Sequence, residues 1–175
     1  MTILVTGGSK SGKSRVAETI VTASGLPCVY LATMMPFGEE AHAAIARHRA
    51  MREGKGFVTL EQYTDIGTLD LPKGSAVLLE CMGNLCANEM FSAHAPRPVQ
   101  KILTDVKALS RLCDLLVIVT NQVGEDGVLY APETMQYIKC LGEINWGIAQ
   151  EAELVIETVF GIPVMMKGEK PPCLC

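Results

Sequence analysis

The segment Gly7-Gly8-Ser9-Lys10-Ser11-Gly12-Lys13-Ser14 has the spacing G-x-x-x-x-G-K-[ST], which is a phosphate-binding loop. Glycines let backbone N–H groups curl around a phosphate, Lys13 reaches the β- and γ-phosphates, and the Ser14 hydroxyl can sit on Mg²⁺. The loop follows a short apolar run, Ile3-Leu4-Val5, and precedes Ser14 to Ser24, where Val16, Ile20 and Val21 share a helical face and Gly25 supplies a stop. Strand, loop and helix in that order are the context this chemistry requires, so nucleotide binding is expected. Glu80 closes the apolar run AVLLE, where an acid of a phosphate-loop protein holds Mg²⁺ directly or through water. Thr120-Asn121-Gln122 closes LLVIVT and offers side-chain amides to a γ-phosphate or an attacking group. No N-K-x-D guanine-reading motif accompanies these residues, which argues against a signalling GTPase.

A second chemical signal is His48. It lies three and four positions after Ile45 and Ala44 on a stretch of helical character, flanked by Arg47, Arg49 and Arg52. Those arginines suit a triphosphate. A neutral imidazole beside bound phosphates can attack phosphorus, dividing one hard displacement into two easier ones through a covalent phosphoramidate. A surface histidine without catalytic duty is the alternative on spacing alone. His42 and His94 have no comparable setting.

These residues need a scaffold that brings strand ends together. Cys28 to Thr33 reads as a second strand, Glu39 to Glu53 as a helix, Phe57 to Glu61 and Ala76 to Glu80 as strands, and 98 to 113 as a helix with Ile102, Val106, Leu109 and Cys113 on one face. Leu115 to Thr120 is another buried strand and Glu133 to Gln150 another helix. Ala152 to Glu157 and Pro163 to Lys167 follow as two last strands around a Gly161-Ile162-Pro163 turn. Alternating strands and helices predict an α/β fold with a mostly parallel sheet, whose ligands gather at the carboxyl ends of the strands.

Composition sets the outer bounds. A chain of 175 residues, 49% hydrophobic, with mean hydropathy +0.26, is sized for one nucleotide-binding catalytic domain spanning 1–175, with a flexible tail from about 168. The net charge is −4 and the 15 basic residues are scattered, so no nucleic-acid footprint is expected and the partner should be a small molecule. No apolar run approaches the roughly 18 residues of a membrane span, and no signal-peptide pattern precedes the first strand, so a cytoplasmic setting is expected. Seven cysteines without C-x-x-C spacing fit free thiols. Cys173 and Cys175, after Pro171-Pro172, fit a frayed tail better than a metal site.

The ordered set of motifs resembles the bifunctional adenosylcobinamide kinase/adenosylcobinamide-phosphate guanylyltransferase family of cobalamin biosynthesis. The likeness runs through I-L-V-T-G-G-x-x-S-G-K-S-R at Ile3 to Arg15, Y-x-A-T at Tyr30 to Thr33, H-x-x-x-R at His48 to Arg52 and T-x-E at Thr59 to Glu61. It continues through L-L-E-C at Leu78 to Cys81 followed by Asn88, V-T-N-x-V-G at Val119 to Gly124, G-x-x-N at Gly142 to Asn145 and G-I-P-V-x-x-K at Gly161 to Lys167. The resemblance implies a RecA-like phosphate-loop (P-loop NTPase) domain in a homotrimer. It also implies two reactions: phosphorylation of adenosylcobinamide by ATP or GTP, and transfer of GMP from GTP to adenosylcobinamide phosphate through a guanylylated histidine matching His48. By the same resemblance Gly7 to Ser14, Thr33, Met34, Met35, Arg49, Ala50, Met51, Arg52, Glu61 and Glu80 contact nucleotide, with Ser14 and Glu80 on Mg²⁺ and Lys13 assisting catalysis. The chain departs from the family pattern at Gln122, at Tyr137-Ile138-Lys139, at Trp146, at Glu53 and by an added residue within Gly54 to Gly56. A diverged small-molecule kinase without guanylyl transfer is the alternative, and a non-enzymatic nucleotide switch a more distant one.

Overall fold

The computed structural model describes residues 1–174; the side chains of Glu40, Ala44 and Met51 also lie outside the described residues. Among the described residues, strands β1 (Thr2–Thr6), β2 (Cys28–Ala32), β3 (Phe57–Glu61), β4 (Ala76–Glu80), β5 (Leu115–Val119), β6 (Leu154–Val159) and β7 (Ile162–Lys167) form one sheet. Their order is β3-β2-β4-β5-β1-β6-β7, parallel throughout except for β7. Helices α1 (Lys13–Ala23), α2 (Gly38–Arg52), α3 (Met82–Ala87), α4 (Pro98–Leu112) and α5 (Pro132–Glu151) provide the connections.

Strand alternation divides the core in two. Leu4, Val77, Leu79, Leu116 and Ile118 face α3, α4 and α5, joined there by Ile102, Leu109, Leu141 and Ile144. Their sequence neighbours Ile3, Val5, Ala76, Leu78, Val117 and Val119 face α1 with Val16, Ile20 and Val21. Central strands β4 and β5 are buried at every position, which is why they read as continuous apolar runs. Each buried Val, Leu and Ile side chain there contributes about 1.5–3 kcal/mol.

The structure differs from the sequence expectations at the last hairpin, after β4 and at the tail. The last two strands form an antiparallel hairpin whose turn is Phe160-Gly161, so Ile162 and Pro163 belong to β7 rather than to the turn. Pro163 is admissible because β7 is an edge strand that needs no donor on its open side. A short helix and π turn over Met82–Ala87 and Asn88–Ser92 occupy a segment read as having no element. In place of a frayed end, residues 172–174 turn back, and Cys173 and Leu174 pack onto the α1 side of the core. Cys175 lies outside the described residues.

Candidate active site

The phosphate loop bridges the carboxyl end of β1 and the start of α1. Its path uses positive φ at Gly7 (148°), Lys10 (57°) and Gly12 (94°). Gly7 is also required sterically, since a Cβ there would lie 2.6 Å from the Thr158 carbonyl oxygen on β6. The Lys13 ammonium folds over the loop and donates to the Gly8 carbonyl at 2.9 Å. Burial lowers its pKa from the ordinary lysine value, a shift opposed by Cys81 and Glu80 nearby. An ammonium so placed gains most from an anion in the loop.

Glu80, at the end of β4, joins the loop to the rest of the site. One carboxylate oxygen accepts from the Ser14 hydroxyl and lies 3.8 Å from His48 Nδ1; the other accepts from the Tyr30 hydroxyl at 3.3 Å. The Glu80–Cys81 peptide bond is cis. Ser14 and Glu80 present two hard oxygen donors beside the loop, the donor set that Mg²⁺ takes while keeping water and phosphate for its other positions.

His48 enters from α2. Its Nδ1 is buried and has no hydrogen-bond partner, although the ring as a whole is about a quarter exposed. One turn later, Arg52 stacks its guanidinium 3.3 Å from the centroid of the Tyr30 ring, with Nε and Nη1 unpaired. Arg49 donates to Glu61 at 2.6 Å, and Tyr63 donates to the other oxygen of Glu61 at 3.0 Å. These two bonds hold the Glu61 carboxyl below its usual range, the Tyr63 hydrogen bond contributing most. Contacts at Glu80, Tyr30 and Glu61 thus tie α2 to β4, β2 and β3.

Together these groups line a cleft of about 620 Å³. Ser9 to Ser14, Met34, His48, Arg49, Arg52, Glu61 and Glu80 face it, as do Asn121 and Gln122 at the end of β5. Gly7 and Gly8 form the loop behind it. Three expected contacts sit elsewhere. The Thr33 hydroxyl is fully buried and donates to the Cys81 carbonyl at 2.8 Å, so it holds β2 to β4. Met35 receives the Ser92 hydroxyl at its sulfur at 3.8 Å, outside the cleft, and Ala50 faces a shallower hollow beyond Arg49. The Met51 side chain lies outside the described residues. Thr120 is also withdrawn, donating to Asn145 at 2.7 Å.

Several cleft residues escaped the sequence reading of chemistry. Tyr30 and Thr59 belong to the Y-x-A-T and T-x-E motifs, but on chemistry alone both read as strand residues. Arg15 follows the loop motif directly, which was the available clue; Asn84 lies on the helix that was not read. Cys81 also lines the cleft, but burial pushes its thiol up and leaves it a poor nucleophile. Away from the cleft, the carboxylates of Asp65, Glu89 and Asp105 converge, but on the Lys101 ammonium at 2.8, 2.7 and 2.9 Å. No helix among the described residues is long and apolar enough to cross a membrane.

Comparison with known proteins gives a consistent result. The family model described as cobinamide kinase / cobinamide phosphate guanyltransferase matches residues 3–166. The bifunctional adenosylcobalamin biosynthesis protein CobP of Pseudomonas aeruginosa is 30% identical over 168 residues, covering 95% of this chain and 97% of that protein. The bifunctional adenosylcobalamin biosynthesis protein CobU of Escherichia coli is 31% identical over 183 residues, covering 95% of this chain and all of that protein. CobU of Salmonella typhimurium is 30% identical over the same span. A solved structure from Pyrococcus horikoshii OT3 superposes with a TM-score of 0.54 at 12% identity, covering 97% of this chain and 87% of that one, and shows the α/β fold alone.

Proposed function

The chain belongs to the cobinamide kinase / cobinamide phosphate guanyltransferase family, and on that premise we propose that this cleft carries out both reactions. In the first, the Gly7 to Ser14 loop and Lys13 hold the triphosphate of ATP or GTP; the hydroxyl of adenosylcobinamide attacks the γ-phosphorus, a P–O bond forms, the bond to the β–γ bridging oxygen breaks, and ADP or GDP leaves with the hydroxyl proton released to solvent. In the second, His48 attacks the α-phosphorus of GTP; a P–N bond forms and the P–O bond to pyrophosphate breaks. An oxygen of adenosylcobinamide phosphate then attacks the same phosphorus, the P–N bond breaks, and adenosylcobinamide-GDP leaves.

The observation that carries this reading is the placement of His48 Nδ1 3.8 Å from the carboxylate that also receives the Ser14 hydroxyl. With the proton on Nδ1 and directed at Glu80, the lone pair on Nε2 is free to attack. Arg49, Arg52 and Glu61 border the nucleotide on the α2–β3 side, and Met34 gives it an apolar wall. Ser14 and Glu80 would hold Mg²⁺, which supplies charge neutralisation on the phosphates.

The assembly is proposed as a homotrimer in the cytoplasm, each copy one catalytic domain. What supports oligomerisation, besides the resemblance, is the open edge strand β7, which exposes Ile162, Val164 and Met166. Incubation with Mg²⁺ and GTP labelled at the α-phosphate, followed by peptide mass spectrometry without acid, tests the reading. A GMP adduct on the His48 peptide is expected, and none in His48→Ala. An adduct of equal yield in that variant overturns the mechanism.

A further inference from the structure

Phe160 breaks a local rule beside the phosphate loop. Val159 pairs with Ile162, so Phe160 and Gly161 form a two-residue hairpin turn, both at positive φ (50° and 81°). This is a type I′ turn, whose first position favours Asn, Asp or Gly because a bulky side chain is strained there. The chain places a phenylalanine at that position with its side chain 95% exposed. Neither backbone preference nor core packing accounts for it, and a disfavoured residue without a packing return marks a functional position.

The turn is fused to the nucleotide site. The Gly161 N–H donates to the Ser11 carbonyl at 2.8 Å, and a Cβ on Gly12 would lie 3.1 Å from Gly161 Cα. The Arg15 guanidinium lies against the same turn, 3.2 Å from where a Cβ on Gly161 would stand, and Arg15 lines the cleft. The Arg15 guanidinium and the turn that carries the exposed Phe160 therefore border the loop on the β6–β7 side. His48 borders it on the other side: β1 lies between β5 and β6, and Glu80 at the end of β4, which His48 adjoins, lies beyond β5, away from β6.

That arrangement bears on nucleotide polarity. Lys13 and Ser14 close the end of the loop that takes the β- and γ-phosphates, where Ser14 and Glu80 would hold Mg²⁺, and His48 adjoins that end through Glu80. A triphosphate whose base lies beside Arg15 and Phe160 offers His48 its γ-phosphate, not its α-phosphate. Guanylylation of His48 needs the reverse. We infer that Phe160 and Arg15 form a nucleobase platform for the phosphoryl donor, on which the base stacks. The GTP that guanylylates His48 lies the opposite way over the same loop, its base between α2 and Glu61. This inference rests on the two-reaction reading above.

Calorimetric titration of the full-length protein with Mg·ATP and with Mg·tripolyphosphate, which has no base, tests the platform. Phe160→Asn should weaken ATP about 5- to 150-fold, the range that loss of one stacked base gives, and leave tripolyphosphate affinity and the rate of His48 guanylylation at subsaturating GTP within about twofold of wild type. Because Asn suits the turn, the Tm of Phe160→Asn should equal or exceed that of wild type, whereas a merely structural phenylalanine would lower it. Phe160→Trp should retain ATP affinity. Unchanged ATP affinity in Phe160→Asn overturns the platform, including the case where Phe160 instead contacts another copy and only the oligomeric state changes. Equal losses for ATP and tripolyphosphate, or for ATP binding and GMP-adduct formation, overturn it as well. Wild-type protein that binds ATP but forms no adduct removes the guanylyl half of the underlying reading, and the ATP comparison still decides the platform.

Discussion

Replacing Glu80 by Gln isolates the charge that joins the phosphate loop to His48. Glutamine keeps the shape, and its one carbonyl oxygen can accept from either Ser14 or Tyr30 but not both, while it removes a negative charge whose nearest oxygen lies 3.8 Å from His48 Nδ1. At about 4 Å a unit pair is worth about 1 kcal/mol in bulk water and about 4 kcal/mol near a protein surface. His48 is partly exposed and Glu80 nearly buried, so the loss falls between these limits, at about 2–3 kcal/mol. Applied to a transition state in which the imidazole gains a P–N bond and positive charge, that slows His48 guanylylation about 30- to 150-fold. The assay is a single turnover at saturating GTP and Mg²⁺, quenched in alkali and read by mass spectrometry, with thermal melting to certify the fold. A rate within about twofold of wild type would refute the electrostatic role. Recovery of the rate at raised Mg²⁺ would also refute it, by assigning the carboxylate to the metal alone.

Other perturbations test the loop and its supports. Burial depresses the pKa of Lys13 below the ordinary 10.5, so keeping it charged costs stability at neutral pH, and that cost fades as pH rises from the depressed value to 10.5. Lys13→Met should therefore raise the ligand-free Tm at pH 7, with the gap closing towards pH 10.5, while calorimetry shows tripolyphosphate affinity reduced at least about tenfold. Gly7→Ala should lower stability by about 1–3 kcal/mol through the clash with Thr158, whereas Gly8→Ala, with nothing within 4 Å of the added Cβ, should melt like wild type. Lys101→Met strands the fully buried Glu89 beside Asp65 and Asp105, at a cost of about 3–5 kcal/mol. The hydrogen bond to Lys101 holds the Asp65 pKa below 3.8, so its stabilisation is present above that value and lost as pH falls through the depressed one. Melting curves between pH 2 and 8 should thus show the gap between Lys101→Met and wild type narrowing below about pH 4.

The parts legible in the sequence are those governed by local rules. Continuous apolar runs mark β4 and β5 because both sheet faces are covered, and the loop motif marks its own strand and helix because the chemistry fixes that order. His48 was legible from its flanking arginines, since helical spacing alone puts His48 and Arg52 on one face. What escaped depends on contacts between distant segments. Tyr30 reads as core, yet its ring carries Arg52 and its hydroxyl serves Glu80. Thr33 reads as a site residue at a strand end, yet its hydroxyl is taken by the Cys81 carbonyl across the sheet. The Lys167 of the last motif has no chemistry to announce it; its ammonium caps α5 by donating to the Ala149 and Gln150 carbonyls at 3.1 and 2.9 Å.

The departures from the family pattern make sense once placed in the fold, because only one of the second-half changes faces the cleft. Gln122 donates its amide to Glu157 on β6 at 2.9 Å, a position where a second carboxylate would meet a like charge at hydrogen-bond distance. The substitution therefore suits its neighbour and still leaves an amide at the cleft wall. Tyr137 packs against the core and donates to the Gly83 carbonyl at 3.3 Å, and Ile138 fills the space behind the Gly124 turn. Lys139 and Trp146 lie on the outer surface of α5. In the first half, Lys55, beside Gly54 and Gly56, pairs with Glu18 of α1 at 2.5 Å, pinning the end of α2 to the helix that follows the phosphate loop. These changes adjust how α5 and α2 are held, and the line from Lys13 through Ser14 and Glu80 to His48 is untouched by them, which is where a two-step transfer through histidine would have to be conserved in geometry.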